Sequence, residues 1–156
     1  MKKAIYSGTF DPITNGHIDI IKRGLKVFDQ IIVAVAVSDA KKPMFDLDQR
    51  VAYVNEATKT MNVKAIPFDG LLVDFAKQQN IKTIIRGLRA VSDFEYELQM
   101  GYANSSLDND LDTVYFMPKL QNAFVSSSIV REVLKFDGDI SHIVPNEVLQ
   151  MIKKRD

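Results

Sequence analysis

Residues 30–37 read QIIVAVAV, a continuous apolar run that is rich in β-branched side chains. A half-exposed strand alternates apolar and polar residues, whereas a strand of a parallel sheet is covered on both faces and is apolar throughout. The run therefore predicts a strand that is buried on both faces of a parallel sheet. This prediction decides the fold, because parallel strands are joined by crossover connections that usually contain a helix.

Strands and helices are predicted to alternate on both sides of this run. Four further apolar segments predict strands, at residues 3–7, 63–67, 82–86 and 113–117. Helices are predicted at residues 16–28, 46–60, 71–78, 92–107, 127–136 and 146–153. The order βαβαβαβαβαα is typical of an α/β fold, so we expect a doubly wound, five-stranded parallel sheet with helices on both faces.

Two of the predicted helices carry a specific start signal. The sequences DLDQ at residues 46–49 and SDFE at residues 92–95 match the capping box, in which two side chains satisfy free N–H groups at a helix start. The chain has 156 residues without an internal repeat or a low-complexity linker, so we expect a single domain over residues 1–156.

The composition argues against several classes of binding partner and site. The chain has 20 Lys and Arg residues and 20 Asp and Glu residues. It therefore lacks the excess of basic residues with which proteins bind nucleic acids and anionic membranes. We therefore expect no nucleic-acid partner and no membrane partner, and no apolar run reaches the roughly 18 residues of a membrane span. There is no cysteine, which excludes disulfides and cysteine metal sites and favours a cytoplasmic location.

The loops that follow the strands are the candidate ligand-binding segments. Open parallel sheets bind ligands beyond the carboxyl ends of their strands, where the strand order reverses. The loops concerned are those at residues 7–17, 38–45, 68–72, 86–89 and 118–128.

The first of these loops contains GTFDPITNGH at residues 8–17 and has the features of an anion site. Gly8 lets the backbone approach a ligand closely. His17 is predicted in the first helical turn, where free N–H groups and the helix dipole favour phosphate. Its imidazole could donate one hydrogen bond as a neutral ring or add a positive charge as imidazolium, and the sequence leaves both states open.

Basic side chains and a serine run follow other strands. Lys41 follows the second strand, where an ammonium group can neutralise charge on reacting phosphates. Arg86 and Arg89 flank residues 87–88, and guanidinium groups suit bidentate contact with phosphate. Arg86 ends an apolar strand, so a structural salt bridge is the alternative interpretation. The serines at residues 126–128 start a helix, and they either cap it or leave its amides to bind a triphosphate.

These segments together resemble a known family. Residues 8–17 are similar to the (T/H)-x-G-H signature of the nucleotidyltransferase superfamily. Residues 41–45 (KKPMF), 85–90 (IRGLRA), 93–97 (DFEYE) and 125–128 (VSSS) resemble, in the same order, the bacterial phosphopantetheine adenylyltransferases. The resemblance implies a Rossmann-like nucleotidyltransferase fold and the transfer of an adenylyl group from ATP to 4′-phosphopantetheine, which gives dephospho-coenzyme A and pyrophosphate.

The resemblance also implies the roles of individual residues. Catalytic roles are implied for His17, Lys41 and Arg89. Contacts with ATP are implied for Thr9, Phe10, His17, Gly87, Leu88, Arg89, Glu97, Asn122, Ala123, Phe124, Val125, Ser126, Ser127 and Ser128. Contacts with phosphopantetheine are implied for Thr9, Lys41, Leu72, Arg86 and Asn104. Taken alone, Glu97 in its acidic helix is better explained as part of a solvated face, and Ser7 and Asn122 stand where the family commonly has proline and tryptophan.

Ligands and partners follow from the same resemblance. It implies that Mg²⁺ arrives with ATP, since the sequence offers no evident carboxylate cage and hence no metal ligand from protein side chains. It also implies a homohexamer and coenzyme A as a feedback ligand.

Three other functions fit part of the pattern. A cytidylyltransferase that acts on a polyol phosphate would share the first motif, although residues 86–89 and 125–128 fit it less well. A non-catalytic module that senses ATP or coenzyme A would not need His17, Lys41 and Arg86. A protein that handles tRNA is disfavoured by the balanced charge.

Overall fold

The computed structural model describes residues 1–37 and 42–155, with the backbone alone at residues 91 and 92. The described strands are β1 (Lys3–Gly8), β2 (Gln30–Ala36), β3 (Val63–Phe68), β4 (Thr83–Gly87) and β5 (Asp112–Phe116). The described helices are α1 (Asn15–Gly24), α2 (Leu47–Ala57), α3 (Leu72–Gln79), α4 (Val91–Leu107), α5 (Ser127–Lys135) and α6 (Asn146–Arg155), with a 3₁₀ turn at Leu120–Asn122. The predicted order of strands and helices is confirmed.

The sheet is parallel throughout, and its strand order is β3-β2-β1-β4-β5. The chain therefore moves outward from β1 to β3 and then returns to the other side of β1. This reversal between β1 and β4 opens a crevice at their carboxyl ends, which is the ligand-binding position of open α/β sheets. In the register, Tyr6 lies opposite Ile85, and the next residues, Ser7 and Arg86, each lie one residue before the end of their strand.

Apolar side chains project from both faces of the sheet, as the apolar strands predict. Ala4 and Tyr6 of β1 pack with α1, α5 and α6, whereas Ile5 packs with α3 on the opposite face. The predicted doubly wound sheet with helices on both faces is confirmed. Within the described residues, no helix combines the length and the apolar character that crossing a bilayer requires.

The predicted helix boundaries are partly right. Asp46 Oδ1 accepts from the amide of Gln49 at 2.8 Å and Gln49 Oε1 accepts from the amide of Asp46 at 3.0 Å, so the first capping box is confirmed. The second start signal is wrong, because the N-cap residue of α4 is Ala90 and Ser92 already lies inside the helix.

Helix α1 also ends before residue 28, at Gly24. A Cβ atom on Gly24 would lie 2.7 Å from Cδ1 of Ile31 and 2.9 Å from Cδ1 of Ile85. The helix end thus packs directly against the sheet, and the chain turns there into β2.

Candidate active site

Two adjoining cavities lie at the carboxyl ends of β1 and β4. The larger, about 530 Å³, is here called the first cleft and lies between the β1–α1 loop and the start of α5. The smaller, about 430 Å³, is called the second cleft and lies between α3 and α4. The two share a wall that consists of Ser7, Gly8, Thr9, Arg86 and Glu97. A ligand in one cleft can therefore meet a ligand in the other across this wall.

The β1–α1 loop fixes the state of His17. Thr14 is the N-cap residue of α1, and its amide donates a hydrogen bond of 3.0 Å to Nδ1 of His17. Because Nδ1 accepts, the proton of the neutral ring is on Nε2. Burial, together with the charges of Arg86 and Arg89, lowers the pKa of His17 to about 3. His17 is therefore a neutral hydrogen-bond donor, which decides between the two states that the sequence left open.

Phe10 holds the other side of the His17 ring. The two ring centroids are 4.8 Å apart, and the Phe10 ring also meets the edge of Tyr6 at 5.3 Å. Phe10 has φ of +49°, a left-handed conformation that costs an L-residue about 1–2 kcal/mol. Gly8 makes room for this turn, since a Cβ atom there would lie 3.1 Å from the Phe10 ring. The loop thus accepts backbone strain in order to place an aromatic ring against His17.

Arg86 is oriented by three hydrogen bonds. Its Nε and Nη2 donate to the two carboxylate oxygens of Glu97 at 2.9 and 2.6 Å, and its Nη1 donates to the carbonyl of Ser7. A guanidinium group has five N–H donors, so two remain for a ligand. Although burial lowers the pKa of Arg86, the bonds and charge of Glu97 raise it above its ordinary value, so Arg86 stays charged. The predicted structural salt bridge is present, and it leaves Arg86 able to bind phosphate.

Glu97 is not part of a solvated face, and that expectation is wrong. The residue is 7% exposed, and both of its carboxylate oxygens face Arg86. Helix α4 brings Glu97 there because it packs over β4 and β5, where the hydroxyl of Tyr115 donates to the Glu97 carbonyl at 2.9 Å.

Arg89 connects the start of α4 with the segment before α5. Its Nε donates to Asp93 at 3.0 Å and its Nη1 donates to the carbonyl of Val125 at 3.0 Å. Both arginines line the first cleft with His17, although each lies at least 69 residues after His17 in the chain. The structure thus brings these three side chains to one cleft.

The serine run caps α5, and the amino end of the helix faces the first cleft. Ser126 is the N-cap residue, and its hydroxyl accepts from the amide of Ile129 at 3.2 Å. The hydroxyl of Ser127 donates to the carbonyl of Pro12 at 2.7 Å, which holds the helix start against the β1–α1 loop. All three serines line the first cleft, so the capped helix also presents its amino end to that cleft.

Two basic residues of the first cleft were missed by the sequence reasoning. Arg131 lies one helical turn beyond Ser128 on the same face of α5, and its Nη1 donates to the carbonyl of Asp11 at 2.8 Å. Lys42 also lines the cleft and is exposed. The spacing of Arg131 from Ser128 is the signal that could have indicated it, since residues three apart are neighbours on a helix.

A buried junction below the first cleft was also missed. The carboxylate of Asp11 accepts from the amides of Met44 and Phe45, each at 2.9 Å. Arg50, which is 2% exposed, donates to the carbonyls of Phe45, Thr9 and Ala36 at 2.8–3.0 Å. These bonds fix three chain segments to one another. No local sequence pattern predicts them, because most of their partners lie far apart in the chain.

The remaining predicted residues fall into three groups. Leu72 and Asn104 line the second cleft. Leu88, Asn122, Ala123 and Phe124 line neither cleft. Lys41 lies outside the described residues, so its predicted role stays a prediction.

Asn122 has a partner within the protein. Its side-chain amide donates to Asp19 at 3.3 Å, and the amide of Lys119 donates to the same carboxylate oxygen at 2.6 Å. Although burial raises the pKa of Asp19, these bonds and Arg23 bring it below its ordinary value. The 3₁₀ turn that contains Asn122 is therefore tied to α1.

Comparisons with known proteins show the family of the chain. The model of the cytidylyltransferase-like family matches residues 5–133. The phosphopantetheine adenylyltransferase of Nautilia profundicola is 61% identical over 149 residues, which are 95% of this chain and 97% of the relative. The phosphopantetheine adenylyltransferase of Helicobacter pylori strain J99 is 59% identical over 154 residues, which are 98% of each chain.

Solved structures agree in fold. A structure from Vibrio parahaemolyticus, provisionally assigned as a nicotinate-nucleotide adenylyltransferase, covers 99% of this chain with 93% of its own, at a TM-score of 0.74 and 21% identity. A lipopolysaccharide core biosynthesis protein from Thermoplasma volcanium covers 76% of this chain with 98% of its own, at a TM-score of 0.60 and 24% identity. These structures share the fold, and the family model and the sequence relatives show that the chain belongs to the cytidylyltransferase-like family and, within it, to the phosphopantetheine adenylyltransferases.

Proposed function

We propose that this protein transfers the adenylyl group of ATP to 4′-phosphopantetheine and releases dephospho-coenzyme A and pyrophosphate. One observation carries the proposal: two clefts adjoin across a wall that contains Thr9 and the oriented cation Arg86. The first cleft has the donors and cations that a triphosphate requires. The second has room for a narrow, uncharged arm that ends in a phosphate at the wall.

The reaction needs positioning and charge stabilisation more than proton transfer. An oxygen of the acceptor's phosphate forms a bond to the α-phosphorus of ATP, the bond from that phosphorus to the β-bridging oxygen breaks, and the electron pair leaves with pyrophosphate. A phosphate monoester is already an anionic nucleophile near neutral pH, so no general base is required. His17 contributes its Nε2–H, a preorganised donor for the oxygens of the transferred phosphoryl group.

The acceptor is assigned to the shared wall and the second cleft. The two free N–H groups of Arg86 can hold the acceptor's phosphate, because Glu97 and the Ser7 carbonyl fix the guanidinium plane. The pantetheine arm then extends past Leu72 and Asn104. Thr9 lies where both substrates meet. Ser7 forms part of this wall in place of the family's usual proline.

ATP is assigned to the first cleft. Arg89, Arg131 and the amino end of α5 surround the space for the β- and γ-phosphates. Glu97 contributes through Arg86, since both of its oxygens are occupied there. Contacts of ATP with Leu88 and with residues 122–124 stay predictions.

Mg²⁺ is proposed to enter bound to ATP. The carboxylates that line the first cleft already have protein partners: Asp11 accepts two amides, Asp93 pairs with Arg89, and Glu97 pairs with Arg86. Within residues 1–37 and 42–155, no group of three or more acidic, histidine or cysteine side chains has the arrangement of a metal site. The ion would neutralise phosphate charge while it keeps most of its water ligands.

Assembly and regulation belong to the same proposal. We propose a homohexamer, for which the exposed apolar side chains of α4 offer contact surface: Tyr96 is 60% exposed and Tyr102 is 69% exposed. Coenzyme A, which shares the pantetheine arm and the adenylyl group with the product, is proposed as a feedback ligand, and the cytoplasm as the compartment. Light scattering after gel filtration would measure the assembly.

The test of the function is a reconstituted reaction. The protein is incubated with ATP, Mg²⁺ and 4′-phosphopantetheine, and dephospho-coenzyme A and pyrophosphate are quantified. Matched reactions contain CTP in place of ATP, a polyol phosphate in place of phosphopantetheine, or pantetheine without its phosphate. We expect product only with ATP and phosphopantetheine; turnover of CTP with the polyol phosphate, or ATP binding without pyrophosphate release, would contradict the proposal.

A further inference from the structure

Tyr6 contributes a hydroxyl group to the first cleft that the roles assigned above do not use. The residue is 5% exposed and lines the cleft from β1. No described residue hydrogen bonds to its hydroxyl. In the same part of the chain, residues 1–37 and 42–155, no polar side-chain atom is both sealed from solvent and without a partner. The Tyr6 hydroxyl oxygen therefore opens onto the cleft.

The position of this hydroxyl is set by rigid packing. The Tyr6 ring meets Phe10 edge to face at 5.3 Å and lies 6.1 Å from the ring of His17. Its main chain lies in β1, paired on both sides by β2 and β4. Such a group is preorganised, since neither its backbone nor its ring can rotate without displacing Phe10 or His17.

The arginines near Tyr6 favour a bound anion, and burial keeps the phenol protonated. Arg86 and Arg89 both act on it electrostatically, as they do on His17. Burial raises the pKa of Tyr6 to about 12, against the opposing charges of the two arginines and with a smaller contribution from Glu97. At neutral pH the group is a neutral O–H donor and cannot act as a base.

We propose that the Tyr6 hydroxyl donates a hydrogen bond to a non-bridging oxygen of the phosphoryl group that is transferred, beside Nε2–H of His17. The assignment rests on the proposed function. The proton stays on the phenol oxygen, and no bond to Tyr6 forms or breaks. The two donors come from different faces of one site, Tyr6 from the sheet and His17 from the start of α1, so together they can follow the oxygens as the phosphorus becomes five-coordinate.

A purely structural role does not account for the hydroxyl. Tyrosine hydroxyls inside a protein usually bond to a protein group, whereas that of Tyr6 faces the cleft without a partner among the described residues. The contacts of Tyr6 with Phe10 and His17 involve its ring, which phenylalanine would reproduce. The hydroxyl is therefore available to a ligand that enters the cleft.

The first test is Tyr6→Phe, with Tyr102→Phe as the matched control because Tyr102 is 69% exposed on α4 and the substitution keeps the ring that is proposed for the assembly surface. We expect kcat of Tyr6→Phe to fall by about 10²-fold with little change in KM for either substrate, as for the loss of one preorganised donor. The thermal midpoint should stay that of the wild type, and the control should keep the wild-type rate. An unchanged kcat in a folded Tyr6→Phe protein would overturn the assignment, as would a change confined to KM for ATP, which would place the hydroxyl on the base or the ribose.

A second test locates the oxygen. The two diastereomers of ATPαS replace one or the other non-bridging oxygen of the α-phosphoryl group with sulfur, which is a weaker hydrogen-bond acceptor. The loss caused by Tyr6→Phe should shrink for one diastereomer and persist for the other, and equal losses with ATP and both diastereomers would remove Tyr6 from that oxygen. Wild-type turnover is measured in the same series, so an inactive wild type would refute the proposed function itself, whereas an active one isolates the role of Tyr6.

Discussion

At the scale of single residues, the ring of His17 is held on one side and open on the other. The amide of Thr14 donates to Nδ1 at 3.0 Å, and Phe10 packs against the ring face. Only Nε2–H is left for a ligand. The same ring is thus the third residue of a capping box and a donor in the first cleft.

Replacing His17 should separate these two tasks. His17→Ala removes both, so we expect kcat to fall by about 10²–10³-fold, with a much smaller rise in KM for ATP. His17→Gln can restore the bond to the Thr14 amide, because glutamine is a normal third residue of a capping box. The glutamine variant should therefore recover thermal stability without recovering the rate. Steady-state kinetics with thermal unfolding of both variants measures this, and a near-normal kcat in either would contradict the role of Nε2–H.

The depressed pKa of His17 also predicts a pH dependence of stability. Between its folded value of about 3 and its ordinary value of 6.5, the unfolded chain binds a proton that the folded protein does not. The free energy of unfolding therefore rises with pH across this window, by up to about 1.4 kcal/mol per unit from this group, and the contribution is complete above it. Denaturant unfolding at a series of pH values across this window gives the free energy of unfolding at each pH. That free energy should rise less steeply with pH for His17→Gln than for the wild type, and an equal rise in both proteins would contradict the assignment.

The sequence predicted much of this residue-scale picture. It placed His17 at a helix start beside a phosphate site, because the strand–loop–helix pattern at residues 3–17 is local. It left the charge of the ring open, since the charge depends on which nitrogen meets the Thr14 amide and on burial. Tyr6 gave no signal either, because a tyrosine in an apolar strand is ordinary core composition.

At the scale of elements, α4 is fixed to the ends of two strands through one glutamate. The side chain of Glu97 binds Arg86 of β4, and its carbonyl accepts from Tyr115 of β5. Gly101, one helical turn later, lets the helix approach closely, since a Cβ atom there would lie 2.6 Å from the Tyr115 hydroxyl oxygen. The position of Arg86 is therefore a property of how α4 packs.

Glu97→Gln tests this link. Glutamine keeps the shape but loses the charge and one of the two acceptor oxygens, so Arg86 is held less firmly. We expect the KM for phosphopantetheine to rise by about tenfold, the equivalent of about 1.4 kcal/mol, with a smaller effect on ATP. Glu95→Gln is the matched control, since Glu95 is exposed on the same helix. A larger effect on ATP than on the acceptor would instead support a direct contact between Glu97 and ATP.

Elements were predicted best where their signals are local. The capping box at Asp46 is confirmed because both of its partners lie within one helical turn. The signal at Ser92 is wrong: Phe94 donates its amide to the carbonyl of Ala90, and α4 begins before the serine. The pairing of Arg86 with Glu97 could not be predicted, because it depends on the angle at which α4 crosses the sheet.

At the scale of the whole molecule, the strand order determines where the two clefts adjoin. Because the chain reverses between β1 and β4, the first cleft lies on the α1 side of this boundary and the second cleft on the α3 side. Under the proposed assignment, each substrate has its own layer of helices, and only the wall is common to both.

This separation predicts that the second cleft affects one substrate alone. Asn104→Ala removes a polar side chain from that cleft without touching the wall, so we expect KM for phosphopantetheine to rise several-fold, by the loss of about one hydrogen bond, while KM for ATP stays constant. The measurement is a pair of saturation curves, and the matched control is Asn109→Ala, an exposed asparagine after α4 that lines neither cleft. Equal changes in both KM values would show that the clefts are not independent.

The hydrogen bonds of Arg50 are sensitive to substitution at one end only, the arginine itself. All three of its acceptors are main-chain carbonyls, at Thr9, Ala36 and Phe45. A substitution at any of those three positions leaves the main-chain carbonyl in place. Such a substitution can alter packing, but the hydrogen-bond acceptor for Arg50 remains. The three bonds of Arg50 consequently depend on a single codon, the one that encodes the arginine, and lysine cannot replace it because one ammonium does not reproduce the planar fork that spans three segments.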